Sequence, residues 1–126
     1  MNELWNRIIE NYKIARECLV YSKKKDCWIR QEDKGMYHLW TAYYTALNAE
    51  EKNHLFYARV LSLMGWEMQA KSSNYELLNK YYKPAVEQYN LAMEENPNCV
   101  YPKEIENVRK SYESVSYTHL RAHETL

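Results

Sequence analysis

The chain is poor in the residues that break or staple a fold: two glycines, three prolines and three cysteines stand among 126 residues. With glycine only at Gly35 and Gly65, a glycine-rich phosphate loop is excluded. Cys18, Cys27 and Cys99 are odd in number, far apart and in no CxxC pair, so neither a disulfide framework nor a structural zinc site is expected. Net charge is absent too, since 17 Lys and Arg balance 17 Asp and Glu. A neutral chain carries no overall field to draw nucleic acid or an anionic membrane. No apolar run approaches the roughly 20 residues that cross a bilayer. The opening Met1-Asn2-Glu3-Leu4-Trp5-Asn6-Arg7 is charged at once and lacks the apolar stretch of a secretory leader, so the expected compartment is the cytoplasm. Strand signals are missing as well: there is no sustained period-two alternation and no Asn-Gly or Asp-Gly turn.

What is there is helical. Apolar residues make up 46% and charged residues 27%, as in a globular protein. At this length folding can bury roughly two thirds of the unfolded surface, enough for one core. Trp5, Ile8, Tyr12, Ala15 and Leu19 recur in steps of three and four, the seam of an amphipathic helix that Asn2 can cap and Lys23-Lys24-Lys25 can close against its dipole. Asp26 to Gly35 reads as a connection or a helical turn. Met36, Trp40, Tyr43 and Leu47 form the next stripe, and no proline or glycine interrupts the chain until Gly65. Asn48 and Glu51 have capping-box spacing, but Ala46, Leu47, Ala49, Glu50, Glu51 and Lys52 are strong helix formers, so a continuous or merely kinked helix to Met64 is expected. Leu55 to Met64 is apolar nearly all round and should be deeply buried.

Gly65 stands where a left-handed cap would end that helix, and Ser73 with Glu76 offers a capping box for a short helix from Asn74 to Tyr82. Pro84 suits the first turn of another helix, with Ala85 or Val86, Tyr89, and Ala92 or Met93 as its stripe, ending before Asn96-Pro97-Asn98. Pro102 opens the last, carrying Ile105, Val108 and Tyr112. The expected fold is therefore all-α, a single domain of five to six helices arranged as a bundle or a short array of helix hairpins.

Two segments carry resemblances. Tyr82, Ala85, Tyr89, Ala92 and Pro97 fall on the spacing of the second helix of a tetratricopeptide repeat, which Tyr82 to Asn98 resembles. The resemblance implies an antiparallel helix pair brought close by Ala85 and Ala92, with Tyr89 filling the gap to the next repeat. Gln69, Ser72 and Glu76 depart from the first-helix pattern, and no copy lies about 34 residues away. Separately, Val115-Ser116-Tyr117-Thr118-His119-Leu120-Arg121-Ala122-His123-Glu124-Thr125 resembles the translation, in one reading frame, of a transposase adapter used in short-read sequencing. That resemblance implies a non-native tail at 115–126 and a helical domain at 1–114 whose last helix is cut short.

Few residues offer chemistry. Glu51-Lys52-Asn53-His54 has the Glu-x-x-His spacing of ferritin-like di-iron bundles, and on a continuous helix Glu51 and His54 would share a face. The second such motif and the partner glutamates are missing. Lys13 and Arg16 with Lys23-Lys24-Lys25 could contact phosphates, but Glu10, Glu17 and Asp26 dilute the charge. Cys27 and Cys99 lack a base to activate a thiol and read as small hydrophobes. Tyrosine is abundant, at 13 residues beside four Trp and one Phe, a composition that marks either contact surfaces or an AT-rich coding sequence. Tyr37 and Tyr44 lie two turns apart beside the Met36 to Leu47 stripe and are the candidate contact pair.

The expectation is thus a small cytoplasmic helical protein that is not an enzyme, needs no cofactor and acts through a protein partner or self-association. Its rivals are a ferritin-like metal protein using Glu51 and His54, and a nucleic-acid-binding domain working through the first helix.

Overall fold

The computed structural model describes residues 3–20, 31–72 and 74–124, with side chains described to residue 120. Five α-helices and one π-helical turn account for most of these residues, and no strand occurs among them. The architecture is all-α, as the periodicity requires. The chain gathers into two compact units, Met1–Asn53 and His54–Leu126.

The first unit is a helix hairpin. Helix α1 (Glu3–Leu19) buries the whole predicted seam, Trp5, Ile8, Tyr12, Ala15 and Leu19, together with Cys18. Its caps at Asn2 and Lys23-Lys24-Lys25 lie outside the described residues. Helix α2 (Glu32–Asn48) runs antiparallel to it: the end of α1 meets the start of α2 at Leu19 and Gly35, and Asn11 Oδ1 lies 2.8 Å from His38 Nδ1. Gly35 belongs to the first turn of α2 rather than to a connection. A Cβ there would come within 2.6 Å of Leu19 Cγ, so this glycine sets how closely the two helices sit.

The stripe of α2 is turned from the one expected. Met36 and Tyr43 are buried, but Leu39, Ala42 and Ala46 complete the inner face, while Trp40 is half-buried and Leu47 is exposed. Fully buried alanines at 15, 42 and 46 allow close helix packing, and that geometry selects the small side chains over the large ones on the neighbouring face. The expected continuous helix to Met64 is also not formed. Helix α2 ends at Asn48, Ala49 is extended, and helix α3 (His54–Gln69) begins five residues later. One local cap and one long-range bond outweigh the helix-forming composition. Lys52 Nζ donates to the carbonyls of Ala46, Leu47 and Ala49 at 2.7, 2.9 and 2.6 Å, satisfying acceptors at the end of α2. The Trp5 indole N–H donates to the Glu51 carbonyl at 2.8 Å, holding the connection against α1.

In the second unit α3 buries Tyr57, Ala58 and every position from Val60 to Gly65, while Leu55 and Phe56, expected to be deeply buried with them, are half-buried in its first turn. Gly65 is no cap, since α3 continues through it to Gln69. The glycine is needed because a Cβ would stand 2.5 Å from Cε1 of the Tyr82 ring. Ser73 lies outside the described residues, so its capping box does too. In place of a separate helix up to Tyr82, Leu78–Tyr82 forms a π-helical turn that passes directly into α4 (Lys83–Glu95), with the Lys83 N–H bonded to the Leu78 carbonyl. Pro84 sits in the first turn of α4, where its missing N–H costs nothing.

Helix α4 lies antiparallel to α3, with Tyr82 against Gly65 at one end and Gln88 bonded to His54 near the other. Ala85, Tyr89 and Ala92 are buried, and the helix stops at Asn96 ahead of Pro97. Helix α5 (Pro102–Glu124) starts at the proline the sequence marks and buries Ile105 and Val108, with Tyr112 half-buried. It runs without a break into the segment resembling adapter sequence. Val115 joins a small cluster with Leu78 and Tyr82, and His119 stacks on Tyr75 with ring centroids 3.5 Å apart.

Candidate interaction surface

Polar groups buried in the second unit are matched to one another. The Arg59 guanidinium grips Glu104, with Nε 2.6 Å from Oε1 and Nη2 3.2 Å from Oε2. Tyr89 Oη donates to the same Oε1 at 2.8 Å, and the guanidinium carbon lies 4.9 Å from the Phe56 ring centre. Both charged side chains are more than four-fifths buried. This bidentate pair ties α3, α4 and α5 together. Tyr82 donates its hydroxyl to Gln69 Oε1, and burial pushes its ionisation well above that of an exposed tyrosine, so the phenol stays neutral. At the surface of this unit, Trp66 Nε1 donates to Ser111 Oγ at 2.9 Å.

The sequence-derived metal pair is not assembled as drawn. Glu51 lies in the connection after α2, while His54 opens α3, so the two do not share a helix face. His54 instead places Nδ1 2.6 Å from Gln88 Oε1 and Nε2 3.4 Å from Glu95 Oε1. Among the described residues no group of three or more His, Cys, Asp or Glu could hold a metal ion. Purified protein is expected to carry less than one iron, manganese or zinc per chain. Elemental analysis that finds one metal per chain, lost in His54→Ala, would overturn this expectation.

Of the basic set, Lys13 and Arg16 are exposed on α1, and Lys23, Lys24 and Lys25 lie outside the described residues, as does Cys27. Cys99 is half-buried with its thiol 3.4 Å from the Ala92 carbonyl. Among the described residues no helix is long and apolar enough to cross a membrane.

The outward face of α2 is different in kind. Tyr37 is 68% exposed, Tyr44 52% and Leu47 44%. Tyr44 stacks on Trp40 with centroids 5.3 Å apart and planes 20° apart, and Tyr43 packs edge-on against both. Thr41 and Thr45 donate their hydroxyls to the Tyr37 and Thr41 carbonyls at 2.8 and 2.7 Å, and Asn48 Nδ2 donates to the Tyr44 carbonyl at 2.8 Å. A hollow lined by Leu4, Tyr44, Thr45, Asn48 and Ala49 opens beside the Tyr44 ring. From Gly35 to Ala49 the chain has no Lys, Arg, Asp or Glu at all. The sequence reading found the two tyrosines but missed this fifteen-residue gap in charge, a signal visible in the composition of α2 itself. Trp40 and Leu47, expected in the core, belong to this face as well.

The fold and this face define a class: an all-α protein of two helical units with an uncharged aromatic helix face exposed. No protein-family model, curated protein or solved structure matches the chain.

Proposed function

We propose that this chain acts through protein–protein contact and that the outward face of α2 is its contact surface. The observation that carries the reading is the pairing of exposure with composition. Two tyrosine rings stand more than half exposed on a helix face with no charged residue to keep it solvated. Tyrosine offers a broad apolar ring with a polar tip at little conformational cost, and aromatic residues are enriched at the centres of interfaces from which charge is depleted. Leu47 and the half-buried Trp40 extend the patch along the same side.

Replacing Tyr37 and Tyr44 together by alanine separates a contact role from a structural one. Exposed side chains contribute little to stability, so the thermal midpoint is expected to fall by no more than about 5 °C. Self-association, or capture of a protein partner, should weaken by roughly tenfold or more, as truncation of an aromatic anchor commonly does. A drop of many degrees would instead assign both rings to the core and remove the surface.

A further inference from the structure

We infer that His38 is a phosphoryl-acceptor site, whose Nε2 takes the group from a small activated donor, an acyl phosphate or a phosphoramidate. This does not depend on the α2 contact surface. Two bonds in series hold the ring in one tautomer. The Arg7 carbonyl can only accept, so the Asn11 Nδ2 that lies 2.9 Å from it is the donor, and this turns Asn11 Oδ1 toward His38 Nδ1 at 2.8 Å. In the neutral ring Nδ1 then carries the proton and Nε2 the lone pair. That lone pair has no polar partner among the described residues. The ring is half-buried, with Tyr37 packed T-shaped against it at 5.2 Å between centroids, so its orientation is fixed on two sides.

The charge around it suits an anion. Residues three or four apart on a helix are side-by-side neighbours. Of the eight positions so related to His38 on α2 and to Asn11 on α1, only Lys34 and Arg7 are charged, and both are basic. Both are exposed, and neither has an ion-pair partner among the described residues. Because α1 and α2 run antiparallel, Lys34 stands one turn to one side of His38 and Arg7 one turn to the other. A phosphoryl group on Nε2 is thereby flanked by two cations. His54 offers the contrast, since its two nitrogens face Gln88 Oε1 and Glu95 Oε1, and a carboxylate beside the ring repels an anionic donor. His119 is stacked on Tyr75.

The step balances without a cofactor. The Nε2 lone pair attacks phosphorus and forms the N–P bond while the bond from phosphorus to the acyl oxygen, or to the amido nitrogen, breaks. The leaving group departs as a carboxylate, or as ammonia once it has taken a proton from water. The Nδ1 proton stays in place, where Asn11 Oδ1 stabilises the positive charge that the ring acquires.

Incubating the full chain with acetyl phosphate and, in a separate arm, with phosphoramidate tests this, with circular dichroism as the control for folding. One acid-labile phosphoryl group per chain is expected in at least one arm, located on His38 by peptide fragmentation and absent from His38→Gln. His54, His119 and His123 should react at least about tenfold more slowly. Lys34→Gln and Arg7→Gln should each slow the reaction by about threefold. Asn11 is a positioning residue, so Asn11→Ala should move part of the phosphoryl group from Nε2 to Nδ1, two isomers that phosphorus NMR separates, whereas a purely structural role would leave the isomer unchanged. No adduct in either arm overturns the inference. So does labelling spread evenly over the histidines, an Nδ1 adduct in the unsubstituted chain, or an unchanged rate in both basic-residue variants.

Discussion

Glu104→Ala is expected to cost the second unit about 2 to 4 kcal/mol, measured as a loss of unfolding free energy in denaturant. The carboxylate receives the Arg59 Nε and Nη2 donors and the Tyr89 hydroxyl in a site more than four-fifths buried. Removing it takes away the acceptor of three donor hydrogen bonds and the counter-charge that offsets the desolvation of the Arg59 guanidinium. The pair is not wholly sealed from solvent, which places the expected cost below that of a fully buried ion pair. Tyr89→Phe deletes only the hydroxyl bond and should cost about 1 to 2 kcal/mol. Replacing Arg59 and Glu104 together by methionine should recover most of the single-variant loss, because the apolar pair leaves no orphaned charge. A Glu104→Ala cost below about 0.5 kcal/mol would mean that water screens the pair and that apolar packing alone joins α3, α4 and α5.

Gly65→Val is expected to cost about 3 kcal/mol or more, through collision with one ring. The first added carbon would stand 2.5 Å from Tyr82 Cε1 and 2.8 Å from Cδ1. That ring is fully buried and anchored through its hydroxyl to Gln69, so it has no open space to enter. Gly65→Ala should be milder. Alanine gains about 1 kcal/mol of helix propensity, against an overpacking penalty of about 1 to 3 kcal/mol. Tyr82→Leu, which removes the colliding atoms, should make Gly65→Ala favourable in the double variant even though Tyr82→Leu is itself destabilising. Additive losses in that cycle would show that the glycine serves the backbone rather than the ring.

Both sites show where reading the chain succeeds and where it stops. The seam of α1, the proline that opens α5, the stop at Asn96 and the burial of the Val60 to Met64 stretch were legible, because each depends on residues close in sequence. A 3.6-residue repeat, a proline without an N–H and an all-apolar run act locally whatever packs on them. The role of Gly65 was not legible. A glycine after an apolar helix resembles a cap, and only the Tyr82 ring, folded back from seventeen residues on, makes it a helix-interior contact. The Arg59, Tyr89 and Glu104 cluster was invisible for the same reason, since its members lie on three helices.

By itself, then, the sequence determined an all-helical chain, the seam of its first helix and a tyrosine pair spaced along one side of α2. Tertiary structure alone decided which face of α2 turns inward, because close packing of the hairpin favours Ala42 and Ala46 over the equally periodic Trp40 and Leu47. The break after Asn48 is set by both: strong helix formers yield to three local carbonyl bonds from Lys52 and to one long-range indole bond from Trp5. Helix propensity differs by only a few tenths of a kcal/mol per residue, whereas each of those bonds contributes about 0.5 to 3 kcal/mol. That break also separates Glu51 from His54, so the same four bonds that shape the connection determine that the two side chains never share a helix face.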